Sequence, residues 1–283
     1  MSENITIEKM SLSGVQLSLD WAASEGWNPG LNDAEAFYHC DPDGFFLARI
    51  GGEPAGAISA VAYGESFGFI GLFIVRPGLR GHSLGKLLGR AALERLGSRN
   101  TGLDGVEKKI HNYSDFGFKL AYGNARYEGV REKISGGFSA DSAELSELSF
   151  ADVEDYDLRF FQAPRTEFLK RWIKPAGGAG LALLKGGRIA ASGVIRPCRK
   201  GFKIGPLFAD SPELAGELFL ALLSRIPERE PFWLDIPEPN AAAAALVKKH
   251  RMKPVFRTAR MYSKEAPALP VDRIFGVTTF ELG

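Results

Sequence analysis

Two stretches of this chain keep the same internal register, which restricts its fold more than any other feature. Gly51-Gly52 stands 20 residues before Gly71, and Gly186-Gly187 stands 19 before Gly205. Phe67-Gly68-Phe69-Ile70-Gly71 matches Gly201-Phe202-Lys203-Ile204-Gly205 in residue type. Arg126 lies 55 residues beyond Gly71, and Arg260 lies 55 beyond Gly205. Such shared spacing indicates an internal duplication, and 283 residues exceed the usual size of a single core. Two units of one α/β (α+β) design are expected at 1–134 and 156–283. The polar stretch 135–155, rich in Ser, Gly and Glu, reads as a linker region.

The first copy carries the clearest chemical signal. The apolar run 69–75 suits one buried strand and stops at Pro77-Gly78. A basic, glycine-bearing turn follows, Arg80-Gly81-His82-Ser83-Leu84-Gly85-Lys86. Beyond it Leu84, Leu87, Leu88, Ala91, Ala92 and Leu96 recur at helical spacing up to Gly97. A strand that enters a helix through such a turn aims unpaired N–H groups and the helix dipole at one point, which makes a phosphate site. A nucleotide P-loop is excluded: three residues, not four, separate Gly81 from Gly85, and Leu87 after Lys86 offers no hydroxyl to magnesium. The dinucleotide fingerprint is absent. In the second copy the same place reads Ala209-Asp210-Ser211-Pro212-Glu213, without glycine and with two carboxylates. That loop repels a pyrophosphate, so only the first copy is expected to hold one.

Around this motif the pattern predicts helices within 1–40, broken at Asn28-Pro29-Gly30, with Asp33 as the N-cap of the second. A strand at 45–50 turns at Gly51-Gly52 into its antiparallel return. Leu103-Asp104 marks a strand end, 107–116 a helix closed by Gly117, and 118–129 a hairpin. The net charge of +1 argues against a nucleic-acid surface or a polybasic membrane anchor. Cys40 and Cys198 suit a reducing compartment better than a disulfide framework, and four histidines show no metal spacing. No leader pattern or membrane-length apolar run is evident, so a cytoplasmic location is expected.

Arg80-Gly81-His82-Ser83-Leu84-Gly85 resembles the Arg/Gln-x-x-Gly-x-Gly/Ala loop of the GNAT N-acetyltransferase superfamily, departing from it at Ser83. The order of elements over 1–134 resembles the same family. The whole chain is similar to two-domain bacterial GNAT proteins in which an acetyltransferase domain precedes a divergent GNAT-like domain. The residues carrying this are Glu25-Gly26-Trp27-Asn28-Pro29-Gly30, Asn112-Tyr113 with Gly117-Phe118, Arg126-Tyr127-Glu128-Gly129, Gly205-Pro206-Leu207-Phe208 and the tail from Ile274. His250-Arg251-Met252 departs where a Gly-Phe-like turn is expected.

The resemblance implies tandem GNAT folds, each a twisted, mixed, mostly antiparallel sheet flanked by helices, with no coenzyme site in the second. It implies acetyl-CoA as co-substrate without a metal, and transfer to a primary amine of a small molecule in a ternary complex. Residues Arg80, Gly81, His82, Ser83, Leu84, Gly85 and Lys86 would cradle the coenzyme phosphates, with Lys86 and Arg90 in reach of the 3′-phosphate. Phe73, Ile74 and Val75 would offer main-chain groups to the pantetheine arm, and Asn112 belongs to the same side. Tyr113, four residues before Gly117-Phe118, would protonate the leaving thiolate. Asp104, through a water, is preferred as base over Glu25, Glu35, Asp235 and Glu238. Glu25, Trp27 and Asn28 would face the acceptor. The partners expected are the amine, no nucleic acid and no membrane, with the chain a monomer or homodimer. Two other readings stay open: a non-catalytic acetyl-CoA sensor or scaffold, which has no use for Tyr113, and a phosphate-binding adaptor. The apolar tail 275–280 is expected to pack back onto the fold.

Overall fold

A computed structural model of the chain describes residues 4–80, 83–134 and 141–283. The first half contains β1 (Ile5–Lys9), α1 (Leu12–Ser24), α2 (Asp33–Cys40), β2 (Phe45–Ile50), β3 (Glu53–Tyr63), β4 (Phe67–Val75), α3 (Leu84–Leu96), β5 (Asn100–Val106), α4 (Ile110–Ser114) and β6 (Lys119–Val130). The second contains β7 (Ser142–Glu144), α5 (Phe150–Leu158), α6 (Thr166–Trp172), β8 (Ala179–Lys185), β9 (Arg188–Pro197), β10 (Phe202–Ala209), α7 (Pro212–Leu223), β11 (Pro231–Pro237), α8 (Ala241–Lys249), β12 (Lys253–Tyr262) and β13 (Ile274–Gly276).

The duplication is visible in local geometry. Gly51-Gly52 and Gly186-Gly187 all have positive φ, between 57° and 90°, as the tight turns of β2–β3 and β8–β9 demand of two successive residues. α3 buries Leu84, Leu88, Ala92 and Leu96 on one face and packs on β3 beside Gly56. Gly97 ends it with φ 58°. α7 occupies the same place in the second half, opened by Ser211, whose hydroxyl accepts from the Leu214 N–H.

All strands join one sheet in the order β1-β2-β3-β4-β5-β12-β6-β11-β10-β9-β8-β7, with β13 alongside β10. Among the described residues only β4–β5 and β10–β11 are parallel pairs. The closing strands are exchanged between the copies: β12 pairs with β5, and β6 pairs with β11. One core cluster accordingly draws on both halves, with Phe37, Phe45 and Phe69 beside Phe161, Phe168 and Trp172.

Several expectations change. The first described element is a strand, not a helix, since Ile5 and Ile7 alternate with polar residues and turn inward against α3's side of the sheet. Residues 118–129 form most of one long strand instead of a hairpin, because β6 finds partners on both edges in the second half. The helix at 107–116 divides into a 3₁₀ turn (Glu107–Lys109) and α4. Asp33 is the first residue of α2, not its cap; its buried carboxylate accepts from the Gly30 N–H and pairs with Arg196 at 2.8 Å. From 141 onward the expected linker is built into the second half, where β7 pairs with β8 and α5 begins at Phe150. Among the described residues no helix is long and apolar enough to cross a membrane.

Candidate active site

β4 and β5 pair only from Phe67–Asn100 to Ile70–Leu103. Beyond that point β4 bulges: its register on β3 shifts between Gly71 and Ile74, and Leu72 takes φ 45°. The two strands part, and no described strand pairs with this edge of β4 after Ile70. A cavity of about 540 Å³ fills the wedge, a size suited to a small-molecule site. β4 supplies one wall with Phe73, Ile74 and Val75, and β5 supplies Asp104 and Val106. The α4 side contributes Lys109, Asn112, Tyr113 and Phe116, and the mouth contains Arg80 and Gly85. The far wall joins Glu25 and Trp27 to four residues of the second half: Phe256, Thr258, Phe280 and Glu281.

The wedge therefore gathers most of the residues singled out from the sequence. Gly85 faces it from the first turn of α3, and a Cβ there would meet nothing closer than Phe73 Cζ at 3.7 Å. Packing within the chain does not require glycine at this position; keeping it bare leaves room for a ligand to approach the backbone. Leu84 points its side chain into the core and has only its backbone to offer. Ser83 precedes α3 without capping it through its hydroxyl, and Lys86 is exposed and off the cavity wall. Gly81 and His82 lie outside the described residues.

Tyr113 packs its ring on Gly105 of β5, where any Cβ would collide with it. Burial raises the pKa of its hydroxyl above the ordinary tyrosine value, so the proton stays on oxygen at neutral pH. The second half has no such group. Gly117, at φ 86°, follows Tyr113 by four residues; Arg251, in the same register and at φ 53°, follows Val247 by four. This positive φ is what the Gly-Phe turn provides in the first copy, and Arg251 adopts it in place of glycine.

Three expected roles meet different surroundings. Asp104 is not a free base, because its carboxylate receives Arg260 Nε at 2.9 Å, Arg260 Nη2 at 2.6 Å and Asn124 Nδ2 at 2.8 Å. Burial pushes Asp104 upward and Arg260 opposes this, while Asp104 holds the Arg260 guanidinium well above its usual range. The two-point geometry favours the charged pair. Sequence could not supply this partner, since Arg260 arrives on the exchanged strand β12. Glu25 pairs with Arg80, whose Nε donates to the Val75 carbonyl at 2.8 Å. Asn28 lies off the cavity and exchanges hydrogen bonds with the main chain of Lys200 at 2.9 and 3.0 Å, fastening its loop to the β9–β10 turn. Trp27 does line the cavity, and its carbonyl accepts from Arg126 Nη1 at 2.6 Å.

Arg126 repeats the Asp104–Arg260 arrangement in the other half, donating to Asp235 of β11 at 2.6 and 2.7 Å. The sequence reading missed Lys109, Phe256, Thr258, Phe280 and Glu281 as wall residues. For the last two, the only signal was that an apolar tail must dock somewhere.

Residues 15–118 match the model of the acetyltransferase (GNAT) family, and 153–276 match that of an acetyltransferase (GNAT) domain. The chain belongs to the GNAT acetyltransferase family. It carries two GNAT domains and is an enzyme of the transferase class. A holothin acyltransferase of Pseudoalteromonas sp. (strain SANK 73390) is 28% identical over 98% of this chain and 94% of its own length. A putative acetyltransferase from Pyrococcus horikoshii has the same fold, with a TM-score of 0.82 at 23% identity, over 99% of this chain and 96% of that one. A tandem GNAT protein from the clavulanic acid biosynthesis pathway aligns with a TM-score of 0.62 at 14% identity, over 93% and 100% of the two chains. In this GNAT chain, the wedge beside α3 is the open cleft, and the second domain contributes Phe256, Thr258, Phe280 and Glu281 to its far wall.

Proposed function

We propose that the chain transfers an acetyl group from acetyl-CoA to the primary amine of a small molecule, with the donor held in the wedge of the first half. The observation that carries this reading is the conjunction, on one cavity, of the bare Gly85, the vacant edge of β4 and the proton-bearing Tyr113. When bound there, the thioester would supply an activated acyl group. Phe73, Ile74 and Val75 present main-chain N–H and C=O groups along an unpaired strand edge, which an extended amide-containing arm can complete. The N-terminus of α3 offers free N–H groups to phosphate. Arg80, Lys109 and Asn112 border the same mouth with polar side chains. Tyr113, held protonated by burial, donates its phenolic proton to the leaving thiolate.

The acceptor enters from the side of Trp27, Phe256 and Phe280, across the cavity from α4. Purified protein mixed with acetyl-CoA and a panel of primary amines, holothin among them, should release thiol in step with N-acetylation of at least one amine. Coenzyme A binding without amine-dependent thiol release across the panel would instead identify a binding protein.

A further inference from the structure

The C-terminal tail brings a carboxylate to the acceptor side of this cavity. Glu281 is 4% exposed and lines the wall, yet among the described residues no hydrogen bond or ion pair engages its side chain. A largely buried carboxylate that makes no hydrogen bond is costly, and because its oxygens are not closed off from solvent they can meet a group that enters the cavity. The other wall carboxylates are already committed, Asp104 to Arg260 and Glu25 to Arg80. Glu281 acts electrostatically on three cations of neighbouring strands, Arg126 on β6, Arg196 on β9 and Lys203 on β10. Arg126 is paired with Asp235 and Arg196 with Asp33, although Arg196 Nη1 makes no hydrogen bond, and Lys203 Nζ lies 3.5 Å from the Trp27 carbonyl.

The backbone that carries Glu281 is fixed. Its own N–H and that of Leu282 donate to Thr279 Oγ1 at 3.0 and 2.8 Å, and Tyr63 donates its hydroxyl proton to the Leu282 carbonyl at 2.9 Å. Gly71, in the β4 bulge, lies so close that a Cβ would collide with the Glu281 carbonyl. A second polar group awaits a partner on the same wall: Thr258 Oγ1 is buried and makes no hydrogen bond. Between and beside these groups the wall is aromatic, from Trp27, Phe256 and Phe280.

We propose that Glu281 accepts the proton of the acceptor amine, that Thr258 holds this amine, and that the acceptor is a compact amine with an apolar body. The inference rests on the acetyl-transfer reading for its chemistry. The neutral amine attacks the acyl carbon, the C–N bond forms as the C–S bond breaks, and one proton passes from nitrogen to the Glu281 carboxylate. The departing thiolate takes the Tyr113 proton. Solvent then removes the proton from Glu281 and returns one to Tyr113.

Benzylamine is a direct probe, titrated calorimetrically into protein saturated with coenzyme A. The wild type should bind it. Glu281→Gln should weaken that binding at least tenfold and Thr258→Val severalfold, both with coenzyme A affinity unchanged. With the best amine of the acetylation panel, kcat of Glu281→Gln should fall about 10²–10⁴-fold, and Glu281→Asp, which keeps a carboxylate, should lose less. A tail residue with a structural role alone would tolerate the isosteric Gln better than the shorter Asp. A wild type that does not bind benzylamine, a Glu281→Gln variant with wild-type benzylamine affinity, or a Glu281→Gln variant with wild-type kcat would each overturn the proposal. Failure of the acetyl-transfer reading looks different: benzylamine and coenzyme A bind, but no amine releases thiol.

Discussion

The two halves of the molecule open the same wedge in their shared sheet and treat it in opposite ways. In the first, β4 and β5 part after Ile70–Leu103 and leave a cavity. In the second, β10 and β11 part after Ile204–Leu234, and β13 takes up the edge of β10 at Leu207 and Phe208. The next residue, Val277, donates its N–H to the Asp235 carbonyl of β11 at 2.8 Å, so the gap is bridged on both sides. Gly205 and Gly276 have no side chains where the tail and β10 meet, since a Cβ on Gly205 would lie 2.7 Å from the Val277 carbonyl oxygen and one on Gly276 2.6 Å from Leu234 Cδ1. Gly71 and Gly205, matched in the sequence, thus both make way for the same tail. The duplicated fold leaves one cleft open and fills the other with β13, and the segment beyond β13 continues on to line the first.

Tyr113 and Val247 mark the deepest difference between the copies. Tyr113→Phe keeps the ring on Gly105 and removes the proton, so coenzyme A affinity should hold while kcat drops about 10²–10⁴-fold in a chemistry-limited assay. Unchanged turnover would erase the distinction.

The exchanged arginines are where the halves should agree. Arg126→Met and Arg260→Met each strand a buried aspartate, and each should cost about 3–5 kcal/mol in urea denaturation. They also predict a pH dependence. Burial pushes Asp235 up, but Arg126 outweighs it and holds the carboxyl below its usual range. Its stabilisation is therefore full above the unfolded carboxylate value of about 3.9 and is lost as pH falls through the lower folded value. Wild type and Arg126→Met should accordingly converge in stability in acid.

Smaller effects separate the filled wedge from the open one. Gly276→Ala crowds Leu234 and should destabilise by about 1–3 kcal/mol while leaving coenzyme A affinity intact. Gly85→Ala has room in the free protein and sits in a helix, so it should stabilise the ligand-free chain by about 0.4–1 kcal/mol and weaken coenzyme A binding. Thermal melts with and without coenzyme A read both variants; parallel behaviour would mean that the two wedges are alike.

Much of this was legible in residue order because it is local. The strand–turn–helix at 69–96, the glycine-pair turns and the Tyr113–Gly117 spacing each depend on neighbours within a few positions. What escaped was set by partners far along the chain. Asp104 looked available because Arg260, its counter-ion, is 156 residues away. Residues 118–129 were expected to form a hairpin, yet β6 is held straight by β11 and β12. Asn28 resembled an acceptor residue, but its bonds go to Lys200. Glu281 gave no local sign, since only the β4 bulge and the filled second wedge bring the tail to the cavity.

The central claim is that one of two duplicated clefts holds the donor. Calorimetric titration of coenzyme A into the wild-type chain, beside Gly85→Glu and Asp210→Lys, tests it most directly. The expected result is one site per chain, lost in Gly85→Glu and unchanged in Asp210→Lys, where β13 already fills the wedge. Two sites per chain, or a site that survives Gly85→Glu and responds to Asp210→Lys, would contradict it.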